Sequence, residues 1–350
     1  MAPWDYPDFD DHEGVHFFRD AASGLSAIIA IHSSKLGPAA GGCRYWTYAK
    51  SSEAITDALR LSRGMSYKNA MAGLPMGGGK AVILADAARG KTPELLAAFG
   101  RSVESLGGRY VTAEDVGISD ADMVQISSQT KHVSGLPVSG AGDAGGDPGP
   151  FTAMGVYLGV KAAVKHGLKR EGMDGVHVAI QGVGSVGGGL ARLLAKDGAK
   201  LTLADVDAAR AQALAAELGG EAVPADAILT IDADVISPCA RSAAIVSAVR
   251  IAALRAPIVA GGANNQLSTP EDGWRLHARG ITYAPDYVIN AGGIINVGLE
   301  YLSHGDRAEV EKRIAEIPGR LDRIWDESVA SAEPASIVAD RMAQRLIGRG

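Results

Sequence analysis

Only two cysteines, Cys43 and Cys239, occur in 350 residues. No disulfide framework is expected from that count, and a reducing cytoplasm suits it. Basic clusters are also lacking: Lys and Arg total 34 against 40 Asp and Glu, for a formal net charge of -6. Such a surface does not neutralise phosphate backbones, so nucleic acid is not an expected partner. No window reaches the ~18 uninterrupted apolar residues of a spanning helix. The acidic start "MAPWDYPDFDDHEGV" has no apolar stretch of the signal-peptide kind. Neither membrane insertion nor secretion is expected. Glycine is abundant at 45 residues, yet it shows no fixed period, which excludes a collagen-like or solenoid array. The glycines gather at segment junctions, where tight turns and close backbone approach use them.

What is present is the composition of a globular chain, 47% hydrophobic and 21% charged. At about 150 residues per domain the length suggests two domains. The first half alternates strands and helices. "VHFFRD" followed by "ASG" reads as a hairpin strand and its turn, and "LSAIIAIH" (25–32) as a strand. "SEAITDALRLSRGMSYK" (52–68) places Ile55, Ala58, Leu59 and Met65 on one helical face with Ser52 as cap. "KAVIL" (80–84) is a strand, Thr92-Pro93-Glu94 opens a helix, and "RYVTAED" (109–115) is a strand running into a loop. The segment 134–150 is almost all Gly, Pro, Ser and Asp, the composition of a hinge.

Beyond it, a helix from Thr152 leads to "VHVAIQGVGSVGGGLARLLAKDGAKLTLADVD", which reads as strand, glycine turn, helix and strand. Gly182 makes the tight turn, Gly184 lets a pyrophosphate approach the backbone, and Gly187 lets helix and strand pack closely. The helix start, with Ser185 and Val186, offers unpaired N–H groups to phosphates. Asp205 ends the second strand, where a carboxylate binds ribose hydroxyls and repels a 2′-phosphate. NAD is therefore expected rather than NADP. "ADVIS" (233–237), "PIVAG" (257–261) and "DYVIN" (286–290) continue the sheet as strands. The fold class is α/β: an N-terminal α/β catalytic domain, 1–138, and a Rossmann dinucleotide-binding domain, 139–321. A cleft separates them, and helices over 322–350 return to the first.

Three chemical signals compete. In "AGLPMGGGKAVI" (72–83) Lys80 follows a glycine run, but a phosphate loop needs glycine at Leu74 and Ser or Thr at Ala81. "HEGVH" (12–16) matches the zinc-protease HExxH pattern, which requires a helix that Gly14 and the unpatterned "DYPDFDD" oppose. No metal is expected. Cys239 in "SPCA" reads as a small buried residue at a strand end. There remain Lys68 and Lys80, flanking "NAMAGLPM": two lysines converging on a glycine-lined site disfavour each other's charged form, and such a lysine can act as a base.

"LGPAAGGCRYW", "MSYKNAMAGLPMGGGKAVI", "YVTAEDVG", "GANNQL" and "YAPDYVINAGGIINV" resemble motifs of the Glu/Leu/Phe/Val dehydrogenases, in particular the leucine and phenylalanine branch, from about residue 24 to the C-terminal helices. The resemblance implies a homo-oligomer that oxidatively deaminates an L-amino acid with NAD and water to the 2-oxo acid, ammonium and NADH. By motif, Lys68 binds the substrate α-carboxylate, with Gly41, Gly42 and Met65 lining that end. Lys80 activates water, and Asp115 shuttles the proton of the amino group. Asn264 contacts carboxylate and nicotinamide ribose, Thr152 bonds the carboxamide, and Cys239 and Ala240 complete the cofactor site.

The glutamate branch carries a lysine and a serine for the distal carboxylate where this chain has Ala40 and Val297. A side-chain carboxylate would be unpaired there, so glutamate is not the expected substrate. Ile294 resembles the leucine branch, whereas Ala40 enlarges the pocket toward phenylalanine; branched-chain substrates are favoured. Cys43, Gly79 and Gly149 depart from the common threonine, alanine and serine, the first two conservatively in size. A non-catalytic NAD-binding protein is the remaining reading, but it has no need of Lys68, Lys80 and Asp115 together.

Overall fold

The computed structural model describes residues 2–137, 144–240, 247–302 and 306–349. The chain divides into two compact units: Met1–Asp147 with Asn296–Arg307 and Ala343–Gly350, and Pro148–Ile295 with Ala308–Met342. The expected border at 138/139 lies outside the described residues. The C-terminal helices divide differently from expectation: of 322–350, only the part from Ala343 onward joins the first unit.

The first unit carries β1 (Gly14–Asp20), β2 (Leu25–Ser33), β3 (Ala39–Trp46), α1 (Ser51–Met71), β4 (Gly77–Leu84), α2 (Pro93–Glu104), β5 (Tyr110–Glu114) and α3 (Asp120–Ser127). Its sheet has the order β1-β2-β4-β3-β5. β2 is antiparallel to β1 and β4, while β3 runs parallel to β4 and β5. Strand periodicity explains why β2 is buried almost throughout. Leu25, Ala27, Ile29 and Ile31 face a core with Leu95, Phe99, Met123 and Ile126 of α2 and α3. Ile28 and Ala30 face Ala54, Ala58 and Leu59 of α1. Each fully buried Leu or Ile contributes about 1.5–3 kcal/mol, so the central strands are held from both sides.

α1 starts at Ser51 with Lys50 as an extended, uncapped N-cap, not with Ser52 as cap. Thr92 does cap α2, its hydroxyl accepting from Leu95 N at 3.2 Å, with Pro93 in the first turn.

The second unit begins with α4 (Gly149–Leu168). There follow β6 (His177–Gln181), α5 (Ser185–Lys196), β7 (Lys200–Ala204), α6 (Ala208–Leu218), β8 (Glu221–Ala222) and β9 (Val235–Pro238). Next come α7 (Ala248–Ala253), β10 (Ile258–Val259), α8 (Pro270–Ala278), β11 (Thr282–Tyr283) and α9 (Asp286–Ile289). The chain closes with α10 (Gly292–Tyr301), α11 (Arg307–Ile314), α12 (Ile317–Ser331) and α13 (Ala335–Leu346). The sheet order is β11-β10-β9-β6-β7-β8, every pair parallel. This is a doubly wound arrangement whose strand order reverses next to β6, the place where such sheets bind ligands.

The strand expected over 286–290 is instead the helical turn α9. Asp286 Oδ1 accepts from Tyr287 N at 2.7 Å and Oδ2 from Gln266 N at 2.8 Å. A carboxylate at the start of a turn satisfies N–H groups that a strand would have offered to a neighbour. The border between the units falls inside α10, between Ile295 and Asn296.

Candidate active site

The glycines before Lys80 serve packing. A Cβ on Gly78 would stand 2.0 Å from Ser66 N of α1, and one on Gly41 would stand 1.8 Å from Gly79 O and 3.1 Å from Met65 Cγ. Backbone therefore lies against backbone where α1 crosses β3 and β4. Asn69 of α1 donates to Gly77 O at 2.6 Å and pins the helix to the strand. Lys80 is in the middle of β4, not at a strand-to-helix turn, which disposes of the phosphate loop geometrically as well.

Lys80 is only 6% exposed. Its Nζ donates to Asp115 Oδ2 at 2.5 Å. Asp115 follows β5, and a Cβ on Gly42 would stand 2.9 Å from Asp115 Cβ, so this glycine too makes room for the acid. The setting is an ion pair, which the expectation of two mutually repelling ammonium groups did not include. Removing one member of such a buried pair typically costs about 3–5 kcal/mol, because the other charge is left uncompensated.

Burial alone would push the Asp115 carboxyl up. The Lys80 charge and hydrogen bond, then Arg44 and the Val116 N–H, reverse this and hold it below the ordinary carboxylate range. Glu114 goes the other way: burial, a hydrogen bond to Asp120 and the charges of Asp120, Asp147 and Asp115 push it up to about 7.

Two residues of this cluster are absent from the motif reading. Arg44 Nε donates to Asp115 Oδ2 at 3.1 Å, and its Nη1 donates to Asp57 Oδ2 at 2.8 Å. Period-two alternation along β3 puts Arg44 on the face of Gly42, a signal that the sequence itself carries. The Asp57 partnership depends on where α1 lies over the sheet and has no such signal.

Lys68 is half-buried on α1, three residues beyond Met65 and hence on the same face. Ala40 is buried in β3, opposite Gly78 of β4 and Val111 of β5. On α10, Val297 is buried and belongs to the first unit, 3.9 Å from where a Cβ on Gly135 would stand. Ile294, three residues before it and half-buried, belongs to the second.

In the second unit the turn after β6 has the form the glycine spacing predicts. Gly182 has φ of +89°, and a Cβ on Gly187 would stand 1.9 Å from Gly182 O. Gly184 is the N-cap of α5, and among the described residues nothing lies within 4 Å of a Cβ there. Ser185 and Val186 open that helix. Asp205 Oδ2 accepts from Val183 N at 2.8 Å, tying the end of β7 to the turn. Ala240 packs under Gly182, its Cα 2.7 Å from a Cβ there, and Cys239 Sγ accepts from Gly262 N at 3.5 Å. Burial raises the Cys239 thiol pKa, which suits a packing role. Asn264 is exposed, its Oδ1 accepting from Asn290 Nδ2 at 2.8 Å. Thr152 Oγ1 donates to Pro148 O at 2.9 Å, and a Cβ on Gly293 would stand 2.6 Å from it. An open N-terminal glycine, free helix N–H groups and a carboxylate at the next strand end fit a dinucleotide.

"HEGVH" does not assemble a metal site. His12 Nε2 bonds Leu59 O and Ser62 Oγ, Glu13 accepts from Ser34, and His16 lies in β1. Among the described residues no group of three or more His, Cys, Asp or Glu could hold a metal, and no helix is long and apolar enough to cross a membrane.

Family descriptions match residues 12–132, as the Glu/Leu/Phe/Val dehydrogenase dimerisation domain, and 203–344, as Glutamate/Leucine/Phenylalanine/Valine dehydrogenase. The chain belongs to the Glu/Leu/Phe/Val dehydrogenase family. It is 44% identical over 349 residues to leucine dehydrogenase of Bacillus subtilis (strain 168), covering 100% of this chain and 95% of the relative. A valine dehydrogenase of Streptomyces albus is 42% identical over 344 residues, covering 97% and 93%. The crystal structure of L-tryptophan dehydrogenase from Nostoc punctiforme superposes with a TM-score of 0.85 at 40% identity, covering 96% of each chain. The protein is an amino-acid dehydrogenase, an oxidoreductase that uses a nicotinamide cofactor.

Proposed function

We propose that this dehydrogenase uses NAD to deaminate branched-chain L-amino acids, leucine, valine and isoleucine, to the 2-oxo acid and ammonium. The observation that carries the reading is the Lys80–Asp115 pair at 2.5 Å, a nearly inaccessible ammonium on a glycine-walled strand. A structural ion pair gains nothing from that seclusion, whereas a proton-transfer pair does.

In this reading Lys68 binds the substrate α-carboxylate, with Gly41, Gly42 and Met65 shaping that end. Asp115, ionised under the Lys80 and Arg44 charges, receives the substrate ammonium and takes its proton. Once Asp115 holds the substrate proton, Lys80 releases its own to solvent, and as the neutral amine it orients water against the imine carbon and accepts the proton released as the C–O bond forms. Collapse of the resulting carbinolamine breaks the C–N bond and releases ammonia, which Asp115 reprotonates. Thr152 and Asn264 would hold the nicotinamide, whose chemistry when bound would be to supply the acceptor for the hydride of Cα. Asn264, held through its side-chain oxygen by Asn290, contacts carboxylate and ribose. Thr152 bonds the carboxamide, and Cys239, Ala240, Ser185 and Val186 surround the pyrophosphate turn.

Asp205 supports NAD over NADP: its side chain is 7% exposed and bonded to Val183 N, so a 2′-phosphate would meet a fixed anion. Ala40, Ile294 and Val297 offer a distal carboxylate no counter-charge, which supports an apolar substrate. An aromatic substrate is the second reading, supported by the small Ala40 and by likeness to the tryptophan enzyme. The same reading puts the protein in the cytoplasm as a homo-oligomer.

The test is NADH absorbance at alkaline pH with leucine, valine, isoleucine, phenylalanine, tryptophan and glutamate, each with NAD and NADP. Branched-chain turnover with NAD is expected, and none with glutamate. NAD binding without turnover on any amino acid would leave the non-catalytic alternative standing.

A further inference from the structure

The Asp115 oxygen that accepts from Lys80 accepts a second, permanent charge. Arg44 Nε lies 3.1 Å from Oδ2, and Arg44 is not left to wander: Nη1 is bound to Asp57 at 2.8 Å, and the Tyr48 hydroxyl donates to the same Asp57 oxygen at 2.7 Å. Arg60 reaches the other Asp57 oxygen at 3.3 Å. The series Tyr48, Asp57, Arg44, Asp115 therefore runs from α1 and the loop before it, across β3, to the loop after β5. A guanidinium does not release a proton in a protein, so the series cannot conduct one. Its planar fork, occupied on two sides by different carboxylates, is suited to holding a geometry. A carboxylate accepting two charge-assisted hydrogen bonds on one oxygen is fixed in rotation as well as in charge.

We propose that Arg44, braced by Asp57 and Tyr48, is the positioning residue that keeps Asp115 ionised and aimed for proton transfer with the substrate amine. The inference rests on the proton role proposed above for Asp115. The groups that face Asp115 are Lys80 from β4, Arg44 from β3, Glu114 beside it on β5, Asp120 of α3 and Asp147 acting through Glu114, and Asp57 of α1 acting through Arg44. Arg44 stays charged at every working pH, and it opposes the carboxylates on the other side. Loss of a fixed cation at this range raises the proton affinity of the groups beside it, by about 1–3 pH units at such distances.

The experiment is the pH profile of kcat/KM for leucine in Arg44→Gln, Arg44→Lys and Asp115→Asn, each checked by thermal melting. In Arg44→Gln the acid limb is expected to move to higher pH by about 1 unit, with KM for leucine raised. In Arg44→Lys, which keeps the charge but cannot fork to both carboxylates, a smaller upward shift is expected. A limb at the wild-type pH in both variants overturns the inference, even if both are slower, because that is how a merely structural residue behaves. If Arg44→Gln does not fold, Arg44→Lys decides by the same criterion. Asp115→Asn separates the two readings: wild-type turnover there removes the proton role itself, whereas its loss together with an unmoved limb in the Arg44 variants removes only the brace.

Discussion

Gly79 lies edge-on to Tyr110: a Cβ on the glycine would stand 2.7 Å from Tyr110 Cδ2 and 3.0 Å from Cε2. The ring cannot yield easily, since Tyr110 is fully buried and its hydroxyl donates to Gly41 O at 2.5 Å. The apparent size conservatism of glycine for alanine therefore does not hold here. Gly79→Ala is expected to destabilise the fold by about 1–3 kcal/mol through overpacking. Because Gly41 borders the candidate carboxylate site, KM for the amino acid should rise too. Thermal melting and kinetics of Gly79→Ala, and of Gly79→Ala with Tyr110→Leu, check this; the double variant should recover stability relative to the alanine alone.

Lys80→Ala should lower turnover about 10²–10⁴-fold, the range in which a general base contributes. NAD affinity should stay within about twofold, since no cofactor-facing residue changes. Arg44 remains to compensate Asp115, so the variant should fold. NAD titration by protein fluorescence, beside the NADH assay, separates the two effects, and near-wild-type turnover would withdraw the role assigned to the lysine.

Asp205 Oδ1 also accepts from Asp207 N at 3.0 Å, and Arg210 stands 3.8 Å away. Removing the carboxylate in Asp205→Ala frees Val183 N–H and leaves Arg210 paired with Asp207, 3.3 Å away, with no fixed anion at the strand end. NAD binding should weaken, and the ratio of kcat/KM for NAD over NADP should fall by at least about tenfold, the equivalent of 1.4 kcal/mol. An unchanged ratio would mean that selection lies elsewhere in the turn.

Glu114 gives a stability signature with a definite sign. Its folded pKa, about 7, is above the ordinary 4.5, so the native state holds the proton more tightly than the unfolded chain. Stability from this source is complete below about pH 4.5 and is lost as pH rises toward 7. With solvent screening of a half-buried group, the loss is about 1 kcal/mol. Glu114→Gln should melt close to wild type at pH 5 and higher than wild type at pH 8. A melting difference that does not change with pH would contradict the carboxylate cluster.

The parts legible in the sequence were those whose physics is local. Gly182, Gly184, Gly187 and Asp205 are separated by one βαβ unit, and their spacing states the turn, the helix start and the strand end. Thr92-Pro93 announces α2 for the same reason. Lys80 stood out beside its glycines, but Asp115 was nameable only through family motifs, because nothing between residues 80 and 115 reports that the two side chains meet. The Arg44–Asp57 contact depends on helix placement over the sheet, which no local pattern encodes. The turn at Asp286–Ile289 misreads as a strand because a short β-branched run has no period of its own. The course of the C-terminal helices depends on tertiary packing, and there expectation and structure part.

The turn after β6 divides its glycines between two masters. Gly182 and Gly187 are demanded by the chain itself, one by a left-handed backbone angle and the other by a carbonyl that leaves no room. Gly184 answers to none of the described residues around it. An alanine there would be invisible to a folding assay and would declare itself only when a guest arrives, so one methyl group can distinguish a residue kept for architecture from one kept for hospitality.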